Sequence, residues 1–136
     1  MDFIKSISIA ASGLRAQAGR MRVLSENIAN ADSTAQAPGQ DPYRRRIPTF
    51  VSQLDRALDA RTVGLGPVRT DPSDFVSKYQ PGHPAADAAG YVKFPNVNSL
   101  VEMTDMREAQ RSYEANINVI GATRRMIQRT LDILKA

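Results

Sequence analysis

Apolar residues at both ends of the chain recur on an alternation of three and four. In the C-terminal stretch the series is Met103, Met106, Gln110, Tyr113, Ile117, Ile120, Arg124, Ile127, Leu131 and Leu134, broken only by Gln110 and Arg124. A seven-residue repeat sustained this long predicts a helix with a narrow apolar seam, of the kind that supercoils against a partner. The N-terminal stretch carries a matching series in Ile4, Ile7, Ala11, Leu14, Ala18, Met21, Ser25 and Ile28. Two complementary stripes at opposite ends predict a mainly α fold in which long terminal helices form an antiparallel coiled-coil hairpin. At 1.5 Å per residue the helices would be roughly 42 and 55 Å long. Isolated helices are marginal in water, so both ends are expected to fray in dilute protein.

Several residues qualify that pattern. A polar residue in a seam either fixes register and partner choice or marks a rotation that exposes it, and both readings stay open for Gln110 and Arg124. Ala11 and Ala18, with Gly13 and Gly19 beside them, allow close helix approach, although each Gly costs about 1 kcal/mol relative to Ala in a helix. Glu102, Asp105, Glu108 and Glu114 lie early in the second helix, and Arg124, Arg125, Arg129 and Lys135 lie late. That order complements the helix dipole. A two-helix hairpin buries little for its length, which leaves outward faces including Phe3, Ala10, Leu24, Val119 and Ile133 partly apolar and in need of neighbours.

Between Ala31 and Asn96 the helical pattern stops. Pro38, Pro42, Pro48, Pro67, Pro72, Pro81, Pro84 and Pro95, with five Gly among them, interrupt every long helical run. Tyr43–Phe50, Val68–Asp71 and Tyr91–Phe94 are the strand candidates, and Val51–Ala60 is a possible short helix. The expected organisation is therefore an N-terminal helix over 1–32, a Pro/Gly-rich middle with short strands over 33–96, and a C-terminal helix over 97–136. The two helices together make the coiled-coil core.

With 136 residues the chain is about one domain with a modest core. No Cys is present, which rules out disulfides, thiolate metal sites and thiol nucleophiles. Ile7–Ala11 superficially suggests a secretion signal, but Asp2, Lys5, Arg15, Arg20 and Arg22 interrupt it, and no run reaches the roughly 20 apolar residues of a membrane span. His83 in Pro81-Gly82-His83-Pro84, with Asp87 nearby, offers too few groups for a metal or a catalytic base. Gly64-Leu65-Gly66-Pro67 lacks the third Gly and the following helix of a dinucleotide loop and reads as a turn, and no phosphate loop ending in Gly-Lys-Ser/Thr exists. Catalytic, cofactor and metal residues are thus expected to be none. The net charge of +4 and Arg44-Arg45-Arg46 keep a small basic nucleic-acid-binding helical protein as the alternative. An enzyme acting on peptidoglycan would rest only on scattered carboxylates such as Glu102 and Glu108.

Ser12-Gly13-Leu14, Arg20-Met21-Arg22-Val23 and Ser25-Glu26-Asn27-Ile28-Ala29-Asn30-Ala31 together resemble the N-terminal signature of the rod, hook and hook-associated axial proteins of the bacterial flagellum. Pro42-Tyr43-Arg44-Arg45, Tyr79 to Pro84, Gly90-Tyr91-Val92, Pro95 to Asn98, Glu102-Met103 and Tyr113 to Asn116 narrow it to the proximal-rod members, over essentially the whole chain. The resemblance implies a structural subunit that assembles with other rod proteins into a hollow drive shaft for motility. It implies export by the flagellar type III apparatus without a cleaved signal peptide, and a place in the periplasm-spanning rod of the basal body. The implied partners are proximal and distal rod subunits, the rod-base adaptor and the export apparatus, with no nucleic acid and no direct membrane insertion. The signature residues carried over are Ser25, Asn27, Ile28, Ala29, Asn30, Tyr43, Arg44 and Arg45. On this reading, Asp at Ile117 or Ile120 should disturb assembly more than loss of Arg45.

Overall fold

The computed structural model describes residues 2–135. Helix α1 (Phe3–Ala29) is followed by strands β1 (Arg46–Ile47), β2 (Phe50–Asp55), β3 (Ala60–Leu65), β4 (Arg69–Thr70), β5 (Val76–Tyr79) and β6 (Tyr91–Phe94), and then by helix α2 (Ser99–Lys135). The architecture is the expected one of two terminal helices around a small antiparallel β middle. Each helix begins at a polar cap. Asp2 Oδ1 accepts the Lys5 amide at 3.2 Å, and Asn98 Oδ1 accepts the Leu100 amide at 3.1 Å.

The chain divides into two compact units, each drawing on both helices. The first comprises Met1–Met21, Thr49–Pro67 and Arg107–Ala136, and the second Arg22–Pro48 and Val68–Met106. In the first unit β2 and β3 form an antiparallel hairpin in register from Phe50 opposite Leu65 to Asp55 opposite Ala60. The short helix expected over Val51–Ala60 is therefore corrected to strand, turn and strand. Asp55 Oδ1 accepts the amides of Ala57 and Leu58, and Asp59 turns the chain at φ 48°. Arg56-Ala57-Leu58-Asp59 is locally competent for a helix, but as the turn it lets Phe50–Asp55 pair with the adjacent Ala60–Leu65.

Two close approaches explain the glycines of α1. A Cβ on Gly19 would lie 2.9 Å from Leu65 Cδ2, and one on Gly13 would lie 2.9 Å from Asn116 Oδ1 of α2. Ser12 Oγ bonds its own helix at Ile9 O and also accepts the Val63 amide at 3.2 Å, fastening the hairpin to α1. Arg20 lies 3.8 Å from Glu108, so within this unit α1 and α2 run antiparallel. The fully buried residues here are small: Ala10, Ser12, Ala16, Ala109 and Thr123. Thr123 returns its hydroxyl to Val119 O and Asn116 its amide to Ser112 O, which lets polar side chains occupy the inner line of α2.

In the second unit β1 pairs antiparallel with β4 and β5 with β6. The strand expected over Tyr43–Phe50 shrinks to Arg46–Ile47, with Phe50 opening β2, and that over Val68–Asp71 to Arg69–Thr70; beside the pair the Arg45 amide is taken by the Asn96 side chain and Pro48 has no amide to give. Tyr91–Phe94 is a strand as expected, and its partner Val76–Tyr79 escaped notice because it is exposed throughout and lacks alternation. Val23, Leu24, Ala85 and Val92 form the buried apolar core. Gly90, at φ 84°, sits where a Cβ would meet Tyr79 Cε2 at 2.8 Å.

The inner line of α2 runs through Glu102, Ala109, Asn116 and Thr123, one residue out of step with the seam series. Among the predicted seam residues, Ile7, Ala11, Leu14, Met21, Ile28, Met106, Tyr113, Ile120 and Ile127 are half-buried in the single chain, while Ile4, Ala18, Met103, Ile117, Leu131 and Leu134 are exposed. Gln110 and Arg124 are exposed as well. Of the faces expected outside, Val119 and Ile133 are exposed, but Ala10 and Leu24 are buried. Small residues permit the closest backbone approach, so Ala10 and Ala16 of α1 turn inward while Ile4 and Ile9 of the same stretch stay outside.

A buried polar cluster and the candidate assembly surface

Asn27, on the last turns of α1, is fully buried, and its amide group is saturated. Its Nδ2 donates to Arg46 O at 2.7 Å and to Glu102 Oε2 at 2.8 Å. Its Oδ1 accepts the Tyr43 hydroxyl at 2.8 Å and the Arg46 amide at 2.9 Å. Two donors and two acceptor directions are all that an asparagine has. One side chain thereby holds the end of α1, the chain entering β1 and the first turns of α2.

Glu102 is likewise fully buried, and its second oxygen accepts Arg45 Nε at 2.6 Å. Arg45 Nη1 reaches Asp71 Oδ2 at 3.3 Å, and its backbone amide donates to Asn96 Oδ1 at 2.8 Å. Asn96 Nδ2 in turn donates to Ser73 Oγ at 2.9 Å. A buried carboxylate is costly unless paired and hydrogen-bonded, and here both conditions are met.

Acidity follows this geometry. Burial raises the Tyr43 hydroxyl above its ordinary value, with Arg46 opposing and Glu26 and Glu102 adding to the rise. Burial pulls Arg45 down, but its bonds to Glu102 and Asp71 outweigh that and leave it above the ordinary guanidinium value. The Ser73 amide and hydroxyl, with Arg45 beyond them, hold Asp71 below the usual carboxylate range.

The three adjacent arginines do three different things. Arg44 stacks over the Phe75 ring with its Cζ 4.2 Å from the centroid and donates to Asp71 O and Ser73 O. Arg45 turns inward, and Arg46 pairs with Glu26 at 3.0 Å. All three are engaged within the protein, so the run forms no free phosphate-binding patch, and the nucleic-acid alternative loses its main support.

Of the signature residues, the structure brings Asn27, Tyr43 and Arg45 into one cluster. Asn30 caps locally by donating to Glu26 O, Ser25 and Ala29 are exposed, and Ile28 is half-buried. Glu102, Asp71 and Asn96 were missed as members. Glu102 falls between seam positions, where a carboxylate reads as surface charge, and no spacing rule links it to residues 57 and 75 positions away. His83 keeps its turn role, its Nδ1 accepting the Ala85 amide at 3.0 Å and its Nε2 lying 3.3 Å from Thr34 Oγ1.

The remaining notable surface is apolar. Ile4, Ile9, Ile117, Val119, Met126, Leu131, Ile133 and Leu134 of the first unit are exposed, Leu134 by 77%, as are Leu100, Val101 and Met103 of the second. Among the described residues no helix is long and apolar enough to cross a membrane. Exposed apolar stripes on helices belong to a class of protein that completes its packing in an assembly.

Comparison with known proteins defines that class as the rod of the bacterial flagellar basal body. A family model described as "Flagella basal body rod protein" matches residues 7–36, and one described as "Flagellar basal body rod FlgEFG protein C-terminal" matches residues 88–133. The chain is 53% identical over 137 residues to the flagellar basal-body rod protein FlgC of Agrobacterium fabrum, covering 100% of this chain and 99% of the relative. It is 41% identical to FlgC of Salmonella typhimurium over 98% of both chains, and 38% identical to FlgC of Bacillus subtilis over 99% of this chain and 100% of the relative. The chain belongs to the FlgC family of flagellar basal-body rod proteins. It is a structural subunit of the rod, serving motility, and not an enzyme.

Proposed function

We propose that residues 1–32 and 97–136 form an antiparallel coiled-coil hairpin whose open apolar stripe is filled by neighbouring rod subunits, with residues 33–96 as the segment outside that core. The observation that carries this reading is the division of the helices into two faces. Small residues such as Ala10, Ala16 and Ala109 are buried within the chain, while Ile4, Met103, Ile117, Leu131 and Leu134 of the seam series are exposed. The half-buried members, among them Ile7, Leu14, Ile28, Ile120 and Ile127, flank that stripe and become intersubunit contacts. Unlike surfaces meeting head to tail generate rings or open helical tubes, and a tube is what a drive shaft requires.

Membership of the FlgC family supports the finer reading. The subunit lies in the proximal part of the periplasm-spanning rod, meets other proximal and distal rod proteins and the rod-base adaptor, and arrives through the flagellar type III export apparatus without a cleaved signal. The native chain has no Cys, so single cysteines at Ile117, Leu131 and Leu134 report cleanly in intact basal bodies. Crosslinks to neighbouring rod subunits and protection from a maleimide are expected. Free maleimide labelling of all three in assembled rods would overturn the reading.

A further inference from the structure

Heptad-patterned helices have a weakness in their alignment, because a slip of seven residues replaces one set of contacts by a similar one. The inner line of α2 shows it. Glu102, Ala109, Asn116 and Thr123 are spaced by sevens, and three of the four are small or short polar residues that return their side chains to their own helix or have none to place. Opposite Asn116 α1 offers Gly13, which accepts almost any neighbour of modest size. Close packing of small residues holds the helices together while saying little about their axial position.

The cluster in the second unit has no such tolerance. Asn27 uses every hydrogen-bonding direction it has, and Glu102 takes one bond from Asn27 and one from Arg45. Moving α2 by one heptad would put Ala109 against Asn27 and carry the Glu102 carboxylate away from both of its donors. Two buried polar groups would lose partners together, the costliest kind of mismatch a protein interior offers. We propose that Asn27, Arg45 and Glu102 form a register latch: positioning residues that select one axial alignment of α1 against α2 out of the several that the heptad pattern allows. α1 is unbroken from Phe3 to Ala29 and α2 from Ser99 to Lys135, so a pair placed elsewhere on the same two helices serves as the readout. The latch is built before assembly and does not depend on what the outer faces meet.

Disulfide trapping in the full-length chain tests this against a background free of native thiols. A cysteine replacing Gly13 is combined in separate proteins with Asn116→Cys, the observed neighbour, or with Ala109→Cys or Thr123→Cys, the positions a one-heptad slip would bring opposite. With the latch intact, oxidation should yield the 13–116 bond alone. With Asn27→Leu, Arg45→Met and Glu102→Leu together, the 13–109 or 13–123 bond should rise from absent to a major product while the far-ultraviolet helical signal persists. Should the triple variant lose its helical signal, Asn27→Leu alone decides, since it cuts the tie to α1 and leaves Glu102 with Arg45. It should also admit the slipped bonds, whereas Glu102→Gln, which keeps the shape and one of the two acceptor oxygens, should retain 13–116 as the main product. Exclusive 13–116 trapping in the folded triple variant, or in Asn27→Leu if the triple variant is unfolded, would overturn the latch.

Discussion

The two units of this chain are held together by opposite means. The first fully buries only small side chains, Ala10, Ser12, Ala16, Ala109 and Thr123, and leaves aliphatic residues such as Ile4, Ile117, Leu131 and Leu134 outside. The second buries Val23, Leu24 and Val92 and adds a saturated polar cluster around Asn27 and Glu102. A helix pair packed through alanine and glycine gains little apolar burial, at about 25 cal/mol per Å², yet it brings backbones close and keeps outer stripes free for other chains. A polar cluster adds little net stability but tolerates no misalignment. One region is thus suited to being completed by neighbours, and the other to being correct on its own.

Breaking the second unit should have the largest effect. Arg45→Met leaves the buried Glu102 carboxylate with Asn27 as its single side-chain donor, and should destabilise the isolated protein by about 3–5 kcal/mol, seen as a large fall in the thermal midpoint. A sequence-only ranking puts Arg45 below Ile117. For the isolated chain the buried partner reverses that order.

Gly13→Leu attacks the first unit instead. Asn116 cannot withdraw from the new side chain without giving up its bond to Ser112 O, so a loss of about 1–3 kcal/mol is expected in denaturant unfolding. Gly19→Ala serves as the control. It meets only the flexible tip of Leu65 and gains helix propensity worth about 1 kcal/mol, so its net effect should be small.

Tyr43→Phe removes one hydrogen bond to Asn27 and should cost about 1 kcal/mol at neutral pH. The wild-type contribution also has a defined pH range. The folded-state value of Tyr43 is raised above the ordinary 10.0, so its contribution is complete below that and is lost as pH climbs through the folded value. Asp71 is the reverse case. Its value is held below the ordinary 3.8, so its contribution is present above that and disappears as pH falls through the lowered value. Unfolding measured against pH should show both limbs in the wild type, and the alkaline limb should diminish in Tyr43→Phe.

Ile117→Asp should change the isolated protein least, within about 0.5 kcal/mol, because the side chain is already exposed. Its effect should appear in the assembly, as loss of rod incorporation. Hydrogen exchange on dilute monomer extends the comparison: Phe3–Ala10 and Ile127–Lys135 should exchange well ahead of Arg22–Ala29 and Ser99–Met106. Equal protection in the two pairs of segments would remove the distinction between the units.

The sequence by itself determined the two helices, their approximate limits and the irregular middle, because periodicity of three and four and the spacing of proline are local properties of the chain. It also marked Asn27, Tyr43 and Arg45 as a signature through family resemblance, without saying what they do. Only the tertiary structure decided which face of each helix turns inward, that Val51–Ala60 is a hairpin, and that Glu102 joins Asn27 and Arg45. The hairpin depends on pairing across 5 to 15 positions, and the other outcomes on contacts between residues tens of positions apart, where the packing of small side chains and the pairing of a buried charge outweigh any preference written into a short stretch of chain.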